Sequence, residues 1–308
     1  MQLREDHGLP VAEADADEAA AVCRSEGLPG AAVLRVISPR PEDWGLLAAT
    51  GFVRRPVWVT WLAQTPGSDE EYQGRLPRKA RQDLRRALVR ADGAGLRLVV
   101  EQPVRAARLD VFLALYESRI ADMAHGFAFA AQLREAILDN ERELAVWAFE
   151  GDTLVGGVLC QESPREGALK LRFSAVEPRW RAASLARVLY LTAFRAARQL
   201  GHPLVTLGND PNLFGHVAKP GLMLFKSRLG FEPVPAGTVV PAMAGDVADR
   251  ILSLDRLTDP AVMLAYRGTA TAADAQGLAA TVFGTRECNL KPYEIDGVDE
   301  VRFVALER

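Results

Sequence analysis

The chain reads as an α/β protein built on a mixed sheet, and three observations carry that reading. Residues 93–235 follow the order β-α-α-β-β-β-α-β-α-β. Within that stretch, Gly151-Asp152 separates two apolar runs, ELAVWAFE (143–150) and TLVGGVLCQ (153–161), as a hairpin turn does. ALKLRFSAV (168–176) then alternates apolar and polar residues, and a helix over 185–199 leads to a further strand, LVTLGN (204–209). Three consecutive antiparallel strands followed by a β-α-β crossover give a mixed sheet with helices on both faces.

From the N-terminus, the Ala- and acid-rich opening predicts one amphipathic helix over 12–26, ended by turn residues Gly27 to Gly30. AAVLRVIS (31–38) predicts a strand, EDWGLLAATG a short helix, and the β-branched and aromatic PVWVTWLAQ (56–64) another strand. Pro66, Gly67 and Ser68 open an acidic loop and set a domain boundary near residue 70. LPRKARQDLRRALVR (76–90) predicts a helix whose buried stripe is Ala80, Leu84, Ala87 and Leu88. Beyond it come a strand at 96–101, helices near 104–120 and 128–140 around a His125-Gly126 loop, and the hairpin. Ser184 is placed to cap helix 185–199, MLFKSRLG (223–230) predicts a short helix, and FEPVP begins the next strand. The last seventy or so residues offer strands at 261–266 and 300–306 and an Ala-rich helix over 271–282.

The 308 residues, 49% of them hydrophobic, supply a substantial core and exclude disorder of the whole chain. A net charge of −3 advertises no global nucleic-acid-binding field. The exception is local: 76–90 carries +5, which leaves −8 on the rest. Two readings compete for this helix, a solvated face and a phosphate-binding surface. Three scattered cysteines, Cys23, Cys160 and Cys288, make neither a disulfide framework nor a thiolate cage, and the four histidines lack metal-ligand spacing. With no signal peptide and no apolar run of membrane length, the expectation is a cytoplasmic protein with no membrane span.

The hairpin GDTLVGG, the stretch VEPRWRAASLARVLYLTAFRAARQLG and the turn FKSRLGFEPV resemble the GNAT acyltransferases over residues 93–235. Joined to the basic helix, FKSRLGF resembles the Fem-like branch, which forms amides from aminoacyl-tRNA and carries two GNAT-like halves. On that resemblance residues 1–70 are a truncated N-terminal GNAT-like half, 71–235 the acyltransferase domain, and 236–308 a segment of unassigned role. Acyl-CoA users of this fold hold pyrophosphate on a Q/R-x-x-G-x-G/A loop at a helix N-terminus. Here Arg179-Trp180-Arg181-Ala182-Ala183-Ser184-Leu185-Ala186 has neither glycine, which weakens coenzyme A as donor.

The resemblance implies that backbone N–H groups between splayed strands 168–176 and 204–209 bind the acyl oxygen. Lys226 matches the lysine of the Fem-like motif, which meets the tRNA acceptor end and the charge developing on the acyl group. Asp210, read as just beyond its strand, is a candidate general base or amine anchor, and His216 titrates in the useful range. Arg179, Arg181, Ser184 and Arg187 are candidates to bind a phosphate-bearing donor, with Arg195 and Arg198 on the same helix side. Arg78, Lys79, Arg81, Arg85 and Arg86 are candidates for tRNA docking. The leading expectation is transfer of an aminoacyl group from tRNA to an amine of a small metabolite or cell-wall precursor, with no prosthetic group. An acetyl-CoA or acyl-CoA donor is the alternative, and a non-catalytic binding module the second.

Overall fold

The computed structural model describes all residues except 25–27, 123–127, 268–276 and 307–308. Along the chain the elements are β1 (Gln2–Asp6), β2 (Leu9–Glu13), α1 (Ala16–Arg24), β3 (Val33–Ile37), α2 (Trp44–Ala49), β4 (Val53–Pro56) and β5 (Trp58–Gln64). Next come α3 (Asp69–Arg75), α4 (Arg78–Gly93), β6 (Arg97–Glu101), α5 (Ala106–Ala121), α6 (Phe129–Gln132), α7 (Arg134–Leu138), β7 (Glu143–Glu150), β8 (Thr153–Ser163) and β9 (Ala168–Val176). They are followed by α8 (Pro178–Ala182), α9 (Leu185–Gln199), β10 (Leu204–Pro211), α10 (Pro220–Ser227), β11 (Glu232–Pro235), β12 (Asp246–Ile251), β13 (Ala261–Tyr266), β14 (Leu278–Gly284) and β15 (Val298–Ala305). Two compact units share this chain: Leu62–Gly208 with Arg228–Phe231 form the central unit, and Met1–Trp61, Asn209–Ser227 and Glu232–Arg308 form the flanking unit.

In the central unit β6, β7, β8 and β9 pair in antiparallel succession, and β10 adds in parallel to β9. One face of this sheet packs on α5, with Leu109, Phe112, Trp147 and Leu159 fully buried at the contact. Gly157 is required there, because a Cβ on it would lie 2.5 Å from the Trp147 ring. The basic helix α4 buries Ala80, Leu84, Ala87 and Ala91, a stripe at helical spacing, while Leu88 is only half-buried. Ser68 caps α3 by accepting from the Glu71 N–H at 3.1 Å.

In the flanking unit β1, β2, β3, β12 and β4 form one sheet and β13, β14 and β15 another. β12 enters between β3 and β4, antiparallel to both. Its Asp249 is fully buried and receives Arg35 of β3, at 2.8 and 3.0 Å, together with the buried Arg55 of β4. This Arg-Asp-Arg triad sets the register of the inserted strand, since a slip of one residue turns Asp249 to the opposite face.

Several expectations are corrected. The opening helix starts at Ala16, because Leu9–Glu13 pairs with Gln2–Asp6 as a hairpin through His7-Gly8, both at positive φ. The Ala-rich helix expected over 271–282 is excluded at its C-terminal end, where Leu278–Gly284 is a strand buried in a three-stranded sheet; residues 271–276 lie outside the described residues. Alanine's helix propensity is overridden there by complete burial between two strands. The helix near 128–140 is two short helices that meet at Leu133. Ser184 occupies the cap position of α9, but its side chain makes no capping bond. Asp210 lies within β10, not beyond it.

Candidate active site

In the central unit the parallel pairing of β9 with β10 lasts three residues, Ala168↔Leu204 to Lys170↔Thr206. Beyond it no register pair joins Leu171–Val176 to Leu207–Gly208, and two local features account for the divergence. Gly208 takes φ of 70° and turns β10 out of line. On β9, Leu171 and Phe173 oppose the consecutive residues Cys160 and Leu159, so Arg172 is an extra, bulged residue. The strands therefore open as a wedge, and β9 has backbone N–H groups there without a strand partner on that side. Such groups are donors aimed at a carbonyl oxygen that gains charge.

Side chains along the wedge are ordered from both faces. Ser174 is exposed on β9, and its Oγ lies 3.1 Å from the hydroxyl of the buried Tyr190 of α9. Burial pushes the Tyr190 hydroxyl above its usual range, so it holds its proton. Arg172 donates at 2.7 Å to Glu143, which is 1% exposed and whose Oε2 has no hydrogen-bond partner. Burial raises the Glu143 pKa against the opposing charge of Arg172.

The entrance to α9 differs from a built phosphate cradle. Ser184 adopts φ of 61°, so the left-handed turn is made without glycine. Arg187 points inward: it is buried and donates at 3.0 Å to the carbonyl of Arg228, and burial lowers its pKa. Arg179 is engaged by Glu150 and, at 3.1 Å, by Glu177. Arg181 is exposed and makes no ion pair among the described residues. Arg195 and Arg198 both hold Asp69, the former at 2.5 Å and the latter at 3.1 Å.

In the flanking unit Lys226 and Asp210 form a buried ion pair, Nζ to Oδ2 2.7 Å, each side chain about one-tenth exposed. The same Oδ2 accepts from Trp61 Nε1 at 2.8 Å, and Lys226 Nζ lies 5.8 Å from the Trp61 ring centre. Burial lowers the Lys226 pKa, and the charge and hydrogen bond of Asp210 oppose the shift. Trp61 went unsingled by sequence reasoning because its partner is 149 residues away and no local motif links them. His216 is buried in the flanking unit. Its ring nitrogens face the carbonyls of Arg256, at 3.2 Å, and His7, at 2.9 Å.

On α4 of the central unit, Arg78 and Lys79 are exposed, Arg81 is half-buried, and none of the three makes an ion pair among the described residues. Arg85 meets Gln73 at 3.3 Å and Arg86 meets Asp83 at 3.9 Å. The His125-Gly126 loop expected from the sequence lies outside the described residues. Among the described residues no group of three or more His, Cys, Asp or Glu is placed to hold a metal, and no helix is long and apolar enough to cross a membrane.

Residues 78–214 match the family model of an acetyltransferase (GNAT) domain, and that span is a GNAT acyltransferase domain. Solved structures similar to the chain include FemX, at 14% identity and a TM-score of 0.46 over 79% of this chain and 81% of that one. A tandem GNAT protein from the clavulanic acid biosynthesis pathway shares 15% identity, with a TM-score of 0.39 over 72% of this chain and 64% of that one. L-PGS from Bacillus licheniformis shares 13%, with a TM-score of 0.40 over 71% and 68%. No curated protein sequence matches the chain.

Proposed function

We propose that the protein is a Fem-like amide-forming transferase that moves an aminoacyl group from a charged tRNA to the amine of a small metabolite or cell-wall precursor. The observation that carries the donor choice is the arrangement of cations. Arg187 is turned inward and Arg179 is engaged by two glutamates, so the corner where a coenzyme A pyrophosphate sits in acyl-CoA users keeps only Arg181. Arg78, Lys79 and Arg81 are instead available together on α4, which suits contacts to an RNA backbone.

In this reading the amine nitrogen, having lost its proton, attacks the acyl carbonyl carbon; a C–N bond forms, the ester C–O bond breaks, and the departing ribose oxygen takes a proton. Wedge N–H groups of β9 receive the developing oxyanion. Lys226, held by Asp210, is the candidate cation for the charge that develops on the acyl group. With these groups supplying electrostatics, no side-chain nucleophile enters the scheme.

One observation favours an acyl-CoA donor. Ser184 makes a left-handed turn at the N-terminus of α9, the end of a helix that attracts anions, although its own N–H is donated to the Arg181 carbonyl at 3.0 Å. Titration separates the donors: coenzyme A in one series and mixed aminoacyl-tRNA in another, each at two salt concentrations. Binding of tRNA that weakens steeply with salt, with no coenzyme A signal, is the expected outcome. Coenzyme A binding alone overturns the tRNA assignment.

A further inference from the structure

The flanking unit holds a pocket of about 780 Å³ to which neither the fold nor the transfer reading gives a role, and its size falls within the range of small-molecule sites. It opens where two apolar clusters of this unit end. Val22, Leu28 and Leu252 belong to the edge of the cluster that includes Ala19 and Leu47, and Val304 and Leu306 to the edge of the cluster that includes Met263 and Phe283. All five are half-buried, so aliphatic surface that neither interior covers is gathered in one concavity. A single charged side chain lines the pocket among the described residues, Arg250 of β12. Its Nη1 donates at 2.8 Å to the carbonyl of Thr50. Nε and Nη2, the side-on fork of the guanidinium, make no hydrogen bond or ion pair among the described residues, and no carboxylate lines the pocket. Gly51, also on the wall, leaves that edge uncovered, since a Cβ there would lie 3.9 Å from Nε.

A half-buried cation with no counter-charge in its own pocket favours an anion there, and the free fork narrows the anion's class. Two parallel N–H groups match the two oxygens of a carboxylate. The walls decide the rest of the ligand. A small anion would reach the fork and leave the five aliphatic side chains wet, whereas a neutral hydrocarbon would cover them and leave the guanidinium without a partner. A chain that ends in a carboxylate does both. At about 30 Å³ per water in the liquid, the pocket has the volume of roughly two dozen waters, which admits a chain of medium length.

We infer that this pocket is a binding site for a medium-chain aliphatic carboxylate, its carboxylate on Nε and Nη2 of Arg250 and its chain against Val22, Leu28, Leu252, Val304 and Leu306. The site stands or falls independently of the tRNA reading, because it is tested by binding and not by turnover. Calorimetric titration of the full chain with octanoate, octanol, acetate and octyl phosphate at fixed ionic strength distinguishes the outcomes. Octanoate is expected to bind saturably and to raise the melting temperature, with octanol and acetate each at least tenfold weaker. Arg250→Gln is expected to weaken octanoate binding at least tenfold. Val304→Trp, which fills the pocket and leaves Arg250 in place, is expected to remove it, and serves alone if Arg250→Gln does not fold. No saturable octanoate binding, equal binding of octanol or acetate, tighter binding of octyl phosphate, or unchanged binding by either folded variant overturns the assignment.

Discussion

The buried Lys226–Asp210 pair yields a prediction in which stability and activity separate. Lys226→Met leaves the Asp210 carboxylate buried with the Trp61 N–H, at 2.8 Å, as the donor that remains from this cluster. Breaking one side of such a pair costs roughly 3–5 kcal/mol. Asp210→Asn costs less, because burial already lowers the Lys226 pKa and an uncharged amine relieves the remaining penalty. In the double variant no charge is buried, so the two losses do not add; the coupling is expected at about 2–3 kcal/mol in a double-mutant cycle by denaturant unfolding. The pH dependence has a defined sign. With its folded value below the ordinary 10.5, Lys226 binds fewer protons folded than unfolded between the two values. Stability therefore rises with pH through that window, and Lys226→Met flattens the rise. In single-turnover assays Lys226→Met is expected to slow transfer by about 10²–10³-fold, as loss of one oxyanion-stabilising group does. Additive stability losses refute the pairing argument, and wild-type turnover by Lys226→Met refutes the catalytic one.

Three further predictions test other parts of the molecule. Gly157→Ala drives a Cβ to 2.5 and 2.8 Å from two atoms of the fully buried Trp147 ring, and is expected to destabilise by about 1–3 kcal/mol in denaturant unfolding. Glu143 keeps its proton in the folded state above its ordinary 4.5, so stability falls as pH rises from there through the folded value; Glu143→Gln is expected to remove that slope from the stability–pH profile. Replacing Arg78, Lys79 and Arg81 with Glu is expected to weaken tRNA binding and to flatten its salt dependence, measured by filter binding at several salt concentrations.

What the sequence made legible was local. Strands 143–150, 168–176 and 261–266 and helix 185–199 stand where alternation and helical spacing put them, because each pattern is set within a dozen residues. The N-terminal hairpin was missed because its strand Gln2–Asp6 is exposed along its whole length and shows no alternation. Residues 278–282 of the 278–284 strand were read as the end of a helix over 271–282, because Ala-rich sequence carries a helical bias that burial between β13 and β15 overrides. At the site, Lys226 and Asp210 were legible singly, whereas Trp61 and the Arg35–Asp249–Arg55 triad depend on contacts 149 to 214 residues long. Arginines gave the poorest guidance: Arg179, Arg181 and Arg187 lie close together in sequence yet have three different fates, since burial and partner choice are tertiary properties.

The strand orders β1-β2-β3 in the flanking unit and β8-β9-β10 in the central unit show the same device twice: an antiparallel hairpin, a helix and a parallel strand. Both copies pair their parallel strands over three residues, and both close on a Gly-Phe turn, Gly51-Phe52 and Gly230-Phe231, with φ of 82° and 84° at the glycines. What distinguishes them chemically is the entrance to the crossover helix. α1 is entered through Asp15, whose side chain accepts the Glu18 N–H at 2.8 Å, and Asp17 and Glu18 fill its first turn. These carboxylates satisfy the helix end and repel phosphate, so the first copy's entrance does not suit an anionic donor. α9 is entered through Arg179, Arg181 and Ser184, with no acid in its first turn. In the proposed reading the acyl end of the donor is therefore expected at the second copy. The first copy puts Arg35 on its parallel strand, where it serves the buried triad.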